Sequence, residues 1–275
     1  MSLVSINEVI DGFEGGALVG LVCLGWEEVR AFVEAAELEN TPAILMVGPA
    51  ARANMPLPIW GAMLAMVAKE AKVPLATHLD HGKSLEDVKI ALEHGFSSVM
   101  YDGSALPLAQ NIDNTAQMVE MAQFYGASTE GEVGFVGYDN GEKSQGTNLD
   151  EATQFAHETG VDLMAISVGN THLQTEIAAQ IDWERLDKIA TIGTALAIHG
   201  GSGIGSQDRQ KMAQAYRVRK FNIGTEIRQI FGASLRQSIK DNADSFDHLR
   251  LLSGVHEPLV TAARKLIREL KGKQT

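Results

Sequence analysis

Eight short apolar segments, each followed by a stretch of helical character, limit what this chain can fold into more than any other feature of it. The segments fall at 17–22, 43–48, 73–80, 97–101, 127–133, 161–168, 195–199 and 218–223. Between the first two, 26–38 carries Val29, Phe32, Val33 and Ala36 at helical spacing, and helices are predicted over 58–71, 84–94, 108–124, 149–159, 183–191, 206–215 and 225–240. Apolar runs such as Ala43-Ile44-Leu45-Met46-Val47 lack the alternation of a half-exposed strand, so they predict parallel strands covered on both faces. Eight strand–helix steps within a chain of this length predict an α/β fold, a (β/α)8 TIM barrel, rather than an open doubly wound sheet. No GxGxxG follows the first strand, which removes the main support for a dinucleotide fold. A short helix at 5–14 precedes the barrel, a Pro-punctuated loop follows the second strand, and a last helix at 256–271 caps the structure. No linker or internal repeat divides the chain, so residues 1–275 are expected to form a single domain.

Charge narrows the partners. A net charge of −12 argues against non-specific binding to nucleic acid or to an acidic membrane, while leaving room for a local basic pocket that takes a small phosphate. The single cysteine, Cys23, cannot form an internal disulfide, and its apolar setting suits a buried thiol in a reducing compartment. No run approaches the roughly 20 apolar residues of a membrane span, and the N-terminus has no basic and apolar signal pattern. A cytoplasmic location is expected.

Barrels of this kind carry their active site at the C-terminal ends of the strands, so the reactive groups at those ends matter most. The third strand closes on Thr77-His78-Leu79-Asp80-His81-Gly82. Side chains alternate along a strand, so Asp80 and His81 face one mouth only if the strand ends between them, as Gly82 suggests. Strand four is followed by Asp102, strand five carries Glu132, strand six leads to His172 and strand seven ends on His199. Three imidazoles from separate strand ends are what a catalytic zinc needs, with three protein ligands and one open position. His157, His248 and His256 fall elsewhere and read as surface residues. Gly200-Gly201-Ser202-Gly203 and Asn222-Ile223-Gly224-Thr225 follow the seventh and eighth strands, where exposed backbone N–H groups and a helix N-terminus favour a phosphate. Residues 135–148 form the longest polar, glycine-rich stretch and are expected to act as a mobile lid.

Together these segments resemble the class II, metal-dependent ketose-bisphosphate aldolases, the group of the fructose- and tagatose-bisphosphate enzymes. The likeness rests on His78-Leu79-Asp80-His81-Gly82-Lys83-Ser84, on 98–107, on Glu130-Gly131-Glu132-Val133-Gly134, on Ile198-His199-Gly200-Gly201-Ser202-Gly203 and on Asn222-Ile223-Gly224-Thr225-Glu226. It implies that His81, His172 and His199 hold one catalytic Zn2+ and that Asp80 shuttles the proton. Asp102 and Glu132 match positions that orient ligands or hold an alternate metal. Gly200, Ser202, Asn222 and Thr225 match the seat of the dihydroxyacetone phosphate group, and Gly224 stands where tagatose-type enzymes tend to have a small residue. The physics agrees: breaking a C–C bond between a carbonyl and a carbinol leaves an enediolate whose charge a Lewis-acidic ion stabilises, and a base must take the carbinol proton. Lys220, the one strand lysine that could compete as a Schiff base, reads as serving packing or phosphate charge.

The chain also departs from that pattern. Leu21-Val22-Cys23 stands where the family has Ala-Phe-Asn, Leu173-Gln174-Thr175-Glu176 replaces a glycine and a lysine near the phosphate, and Tyr138-Asp139-Asn140 replaces the mobile-loop glutamate, with Asp139 or Glu142 as stand-ins. The leading expectation is therefore a zinc-dependent aldolase that cleaves or forms a ketose bisphosphate, with a phosphorylated sugar as its only partner besides copies of itself in a homo-oligomer. The alternatives are a homologue acting on another carbonyl or sugar-acid substrate, and a sugar-phosphate-binding barrel without turnover.

Overall fold

The computed structural model describes residues 2–10 and 16–272. Along the chain run α1 (Ile6–Ile10), β1 (Leu18–Val22), α2 (Trp26–Leu38), β2 (Ala43–Val47), α3 (Pro49–Asn54), α4 (Leu57–Glu70), β3 (Leu75–Gly82), α5 (Leu85–Glu93), β4 (Ser98–Tyr101) and α6 (Leu108–Tyr125). Then follow β5 (Ser128–Val133), α7 (Leu149–Thr159), β6 (Leu163–Ile166), α8 (Trp183–Ile189), β7 (Ala195–Ile198), α9 (Ser206–Ala215), β8 (Val218–Ile223), α10 (Thr225–Asp241), α11 (His248–Ser253) and α12 (His256–Leu270). The eight strands are parallel and close in sequence order, β8 meeting β1 in the register Leu18 with Lys220 to Leu21 with Ile223. The expected (β/α)8 barrel is the fold. Two elements differ from expectation: the segment after β2 is the helix α3 with proline in its first turn, where Pro is tolerated because that N–H has no helical partner, and α11 is an added turn of helix. Residues 11–14 of the expected first helix lie outside the described residues.

Alternation along each strand splits the core into two shells. Ala43, Leu45 and Val47 of β2 join the outer layer between strands and helices, while Ile44 and Met46 join an inner cluster with Leu18, Val22, Ala76, Met100 and Leu163. Gly20 belongs to the inward rows, because a Cβ there would collide with the Met46 sulfur. Outside, fully buried Phe32 and Trp60 each contribute about 1.5–3 kcal/mol by leaving water, and the Trp60 indole N–H donates to Ala51 O at 3.1 Å. Helix ends are set by local chemistry: Ser84 caps α5 by accepting from Asp87 N, Asn148 caps α7, and Gly126 ends α6 in the left-handed region. The chain closes where Ala17 N donates to Leu270 O at 2.8 Å and Arg264 pairs with Glu39 at 2.7 Å.

The same alternation stacks polar side chains up the inside of the barrel. His78 and Asp80 of β3, Glu130 and Glu132 of β5, and Lys220 and Asn222 of β8 are each two residues apart, so each pair points inward on successive rungs. On the lower rung, Lys220 Nζ lies 2.7 Å from Glu130 Oε2 and 3.4 Å from His78 Nε2, and His78 Nδ1 lies 2.8 Å from Ser98 Oγ. All three charged or titratable side chains are fully buried. Lys220 therefore serves a buried ion pair in the floor of the site, and not a phosphate. Burial and the neighbouring ammonium hold the His78 imidazole well below its usual pKa.

Candidate active site

The upper rung assembles at the C-terminal mouth. By alternation His81 would point outward, away from Asp80. Its backbone instead has φ +51°, and the register of β3 against β4 shifts between Leu79 and Gly82. A bulge of this kind re-aims one side chain, so both Asp80 and His81 enter the mouth although the strand runs on to Gly82. Arg52 of α3 secures that turn from behind, donating to Asp80 O at 2.7 Å and to His81 O at 3.1 Å.

The structure brings His81, His172 and His199 together. Their ring centroids are 5.0, 4.6 and 5.6 Å apart, and one ring nitrogen from each lies within 4.8 Å of the others. Each imidazole is anchored. His81 Nδ1 lies 2.7 Å from Asp102 Oδ2, His199 Nε2 lies 2.8 Å from Glu130 Oε1, and His172 is clamped by its backbone, its N–H donating to Gly137 O at 2.8 Å while its carbonyl accepts from Asp139 N at 3.0 Å. What remains is a set of buried atoms with no partner: His172 Nε2, His199 Nδ1 and Glu132 Oε2. Buried polar atoms are seldom left so. Ligating imidazoles with the second nitrogen on a carboxylate are the usual arrangement around a metal, so these residues fit a divalent ion.

Electrostatics points the same way. Burial holds His172 and His199 well below their usual pKa, with the His81 charge adding to it, so both are neutral donors. Burial works to lower His81 too, but Asp80, Asp102 and Glu132 outweigh it and push it up to about 9. Burial and the Asp102 charge push Glu132 up to about 8. Asp102, despite burial, is held well below the usual carboxylate range by His81 and Lys83. Three carboxylates thus crowd one imidazole, and the upward shifts of His81 and Glu132 mark protons held where a bound cation would balance the charge instead. His81, Asp102 and Glu132 form a second group of potential ligands.

Asp80 stands beside this cluster. Its Oδ1 is 4.0 Å from His81 Nε2 and accepts from Asn222 Nδ2 at 3.0 Å, which leaves Asn222 Oδ1 buried and unpartnered. Both line a cavity of about 220 Å³ with His81, His172, Gly200, Ser202, Gly224 and Thr225. Gly200 adopts φ +63°, a conformation suited to glycine, and the Ser202 hydroxyl accepts from Glu226 N in the first turn of α10 at 3.3 Å. The 17-residue α10 begins at this wall of the cavity, and a helix N-terminus of that kind attracts anions.

Four participants were not foreseen. Glu130, the first residue of the Glu130-Gly131-Glu132 motif, holds His199. Asn170 donates to His199 O at 2.9 Å. Tyr138, from the expected lid, stacks on His172 at 5.1 Å and lines the cavity, whereas Asp139 and Glu142 are exposed. Arg228 lines the cavity from α10. Segment 135–148 is pinned in several places: Phe135 and Gln145 pair as an antiparallel bridge and Tyr138 bridges to His172. Of the other histidines, His157 is exposed and His256 pairs with Glu34.

Known proteins agree with this geometry. Residues 12–275 match the family described as fructose-bisphosphate aldolase class-II. A fructose-bisphosphate aldolase of Staphylococcus epidermidis is 32% identical over 98% of this chain and 97% of its own length. A sulfofructosephosphate aldolase of Alkalicoccus urumqiensis is 30% identical over 88% and 86%. Among solved structures, the YdjI aldolase of Escherichia coli K12 superposes with a TM-score of 0.85 at 27% identity, covering 98% of both chains. The likeness runs the length of the barrel, and on that ground the chain belongs to the class II fructose-bisphosphate aldolase family, an aldolase and hence a lyase.

Proposed function

We propose that the protein is a zinc-dependent class II aldolase that cleaves and forms a ketose bisphosphate of the fructose or tagatose type, with dihydroxyacetone phosphate as donor. The observation that carries this reading is the grouping of His81, His172 and His199, one ring nitrogen of each within 4.8 Å of the others, with His172 Nε2 and His199 Nδ1 buried and unpartnered. In it His81, His172 and His199 hold the ion. Zinc suits a site of three imidazoles with an open position. Bound there, it would supply Lewis-acid stabilisation of the negative charge that develops on the donor half.

The remaining steps fall to this chain's side chains. Asp80, held by Asn222 but clear of the histidine nitrogens, takes the hydroxyl proton at C4 as the C3–C4 bond breaks and the aldehyde leaves. Asn222 Oδ1, with no internal partner, accepts a hydrogen bond from a substrate hydroxyl. Gly200, Ser202, Gly224 and Thr225 seat the donor phosphate at the start of α10. Asp102 keeps His81 turned to its task through the 2.7 Å contact. Glu132 balances the ion's charge and provides an alternate position for it. The same reading makes the protein a cytoplasmic homo-oligomer built from one barrel domain per chain, with no nucleic acid or membrane partner; no helix among the described residues is long and apolar enough to cross a membrane.

A second reading, cleavage of a differently substituted ketose phosphate, draws support from the apolar wall of Val22, Leu24, Pro49, Ala50 and Ala51 and from the relative named sulfofructosephosphate aldolase. A coupled assay of triose phosphate release from fructose and tagatose 1,6-bisphosphates, with and without chelator, tests both. Release that chelator abolishes and added zinc restores is expected. Release that ignores chelator overturns the metal chemistry, and chelator-sensitive release from neither sugar moves the choice to the second reading.

A further inference from the structure

Two of the three clustered imidazoles are oriented by carboxylates. His81 Nδ1 meets Asp102 and His199 Nε2 meets Glu130, and His81 stands within β3 while His199 directly follows β7. His172 has neither advantage. It lies six residues beyond Ile166, the last residue of β6, and among the described residues no carboxylate pairs with its ring, whose Nε2 is buried and unpartnered. Its neighbour Leu173 has φ +62°, a left-handed backbone that a residue other than glycine keeps only where the surroundings impose it. Something outside β6 therefore holds this imidazole in place.

Segment 135–148 does so. The His172 N–H donates to Gly137 O at 2.8 Å and the Asp139 N–H to His172 O at 3.0 Å. Ser144 Oγ accepts from Gly137 N and donates to Asn170 O, both at 3.0 Å. These contacts fix the backbone of His172, and none reaches its ring. The ring is met by Tyr138, which stacks on it at a centroid distance of 5.1 Å and an interplanar angle of 28°, inside the range of about 4.5–7 Å at which aromatic rings attract. His81 meets the same imidazole edge-on, at 5.0 Å and 67°. The lone pair of a ligating nitrogen lies in the ring plane, so a neighbour that fixes the plane fixes the direction in which the nitrogen donates. With 43% of its surface exposed, Tyr138 is no core residue, and its role lies at the mouth.

We propose that Tyr138 is the positioning residue of His172, doing with an aromatic face what Asp102 and Glu130 do with carboxylates, and that it couples segment 135–148 to occupancy of the metal site. The inference rests on the reading of His172 as a metal ligand, and not on which sugar is cleaved. Coupling of this kind is reciprocal. An ion that fixes the imidazole steadies the segment, and a segment that holds the imidazole tightens the ion.

The test measures zinc affinity, by competition with a chromophoric chelator, and amide hydrogen exchange of segment 135–148 with and without zinc. Y138A is expected to weaken zinc binding about 10–100-fold, the scale on which losing a partner that orients a ligand acts, while the melting temperature of the metal-free protein stays close to wild type. Y138F, which keeps the ring and loses the hydroxyl, should bind zinc as wild type does. Zinc should slow exchange at the Asp139 amide, which reports on the His172 carbonyl, about tenfold in wild type and Y138F, and leave it unchanged in Y138A. H172A, which removes the ligand itself, separates the two possible failures. If H172A loses zinc while Y138A stays within about threefold of wild type, the role of Tyr138 is overturned and the ligand set stands. If H172A binds zinc as wild type does, His172 is no ligand and both fall. Y138F as weak as Y138A assigns the effect to the hydroxyl and overturns the stacking role, and exchange that ignores zinc in wild type overturns the coupling.

Discussion

On the β3, β5 and β7 side of the mouth the polar side chains hold one another, with His199 Nδ1 and Glu132 Oε2 left over 3.7 Å apart; on the β1 and β2 side the wall is apolar, and Arg228 of α10 borders it. His81 and His199 each give one nitrogen to a carboxylate. Asp102 accepts from Lys83 and from the Ser104 backbone and hydroxyl. Across the cavity Val22, Leu24 and Ala50 make no such demands. Packed hydrogen-bond networks preorganise a site for chemistry, whereas an apolar wall with one charge sorts ligands by shape and sign. On the proposed reading the polar side carries the chemistry and the apolar side sorts ligands, the two meeting where Asn222 of β8 holds Asp80 at 3.0 Å.

The largest expected effect breaks the polar side outright. Alanine in place of His81, His172 or His199 should take bound zinc from about one equivalent per chain to near none, with turnover following it. Metal analysis of protein purified without chelator checks this, and full occupancy in all three variants would falsify the ligand set. D80N keeps size but cannot take a proton, so turnover should fall roughly 10²–10⁴-fold while metal content holds. If zinc affinity weakens instead, Asp80 orients a histidine and is not the base.

Smaller effects sharpen the contrast within the polar side. E130Q should weaken zinc binding about 10–100-fold by releasing His199 and should cost about 3–5 kcal/mol of stability by leaving Lys220 buried and unpaired. The double variant E130Q/K220M separates the two roles: melting temperature should recover and zinc affinity should not. Recovery of both would make Glu130 a purely structural partner. Least in size is the response of segment 135–148, which joins the two sides through Tyr138. Limited proteolysis should cut there first and slow a few-fold when a substrate analogue is bound. Equal cutting with and without the analogue leaves it a surface strap.

Much of this was legible in the chain. The eight strands, most helix boundaries and the histidines at strand ends follow from patterns within a dozen residues, and the bounds of α2, α7, α9 and β8 were read as they stand. Val22 was visible as a departure, but only its position facing Gly224 gives the departure meaning. Glu130 escaped because a carboxylate two positions before another in a strand looks the same whether it faces a metal ligand or a lysine.

The sequence by itself determined the barrel and singled out the three histidines that the fold brings together, because apolar periodicity and turn chemistry are local properties of the chain. Only the tertiary structure decided which way His81 turns, since that depends on a bulge against β4, and which charges are spent. Glu130 meets His199 across 69 residues and Lys220 across 90. Such pairings form when the last strand closes on the first, and no segment read alone contains them. The buried Arg228 Nε without an internal partner is known only by that accounting, after Arg52, Lys83 and Lys220 have each found a partner.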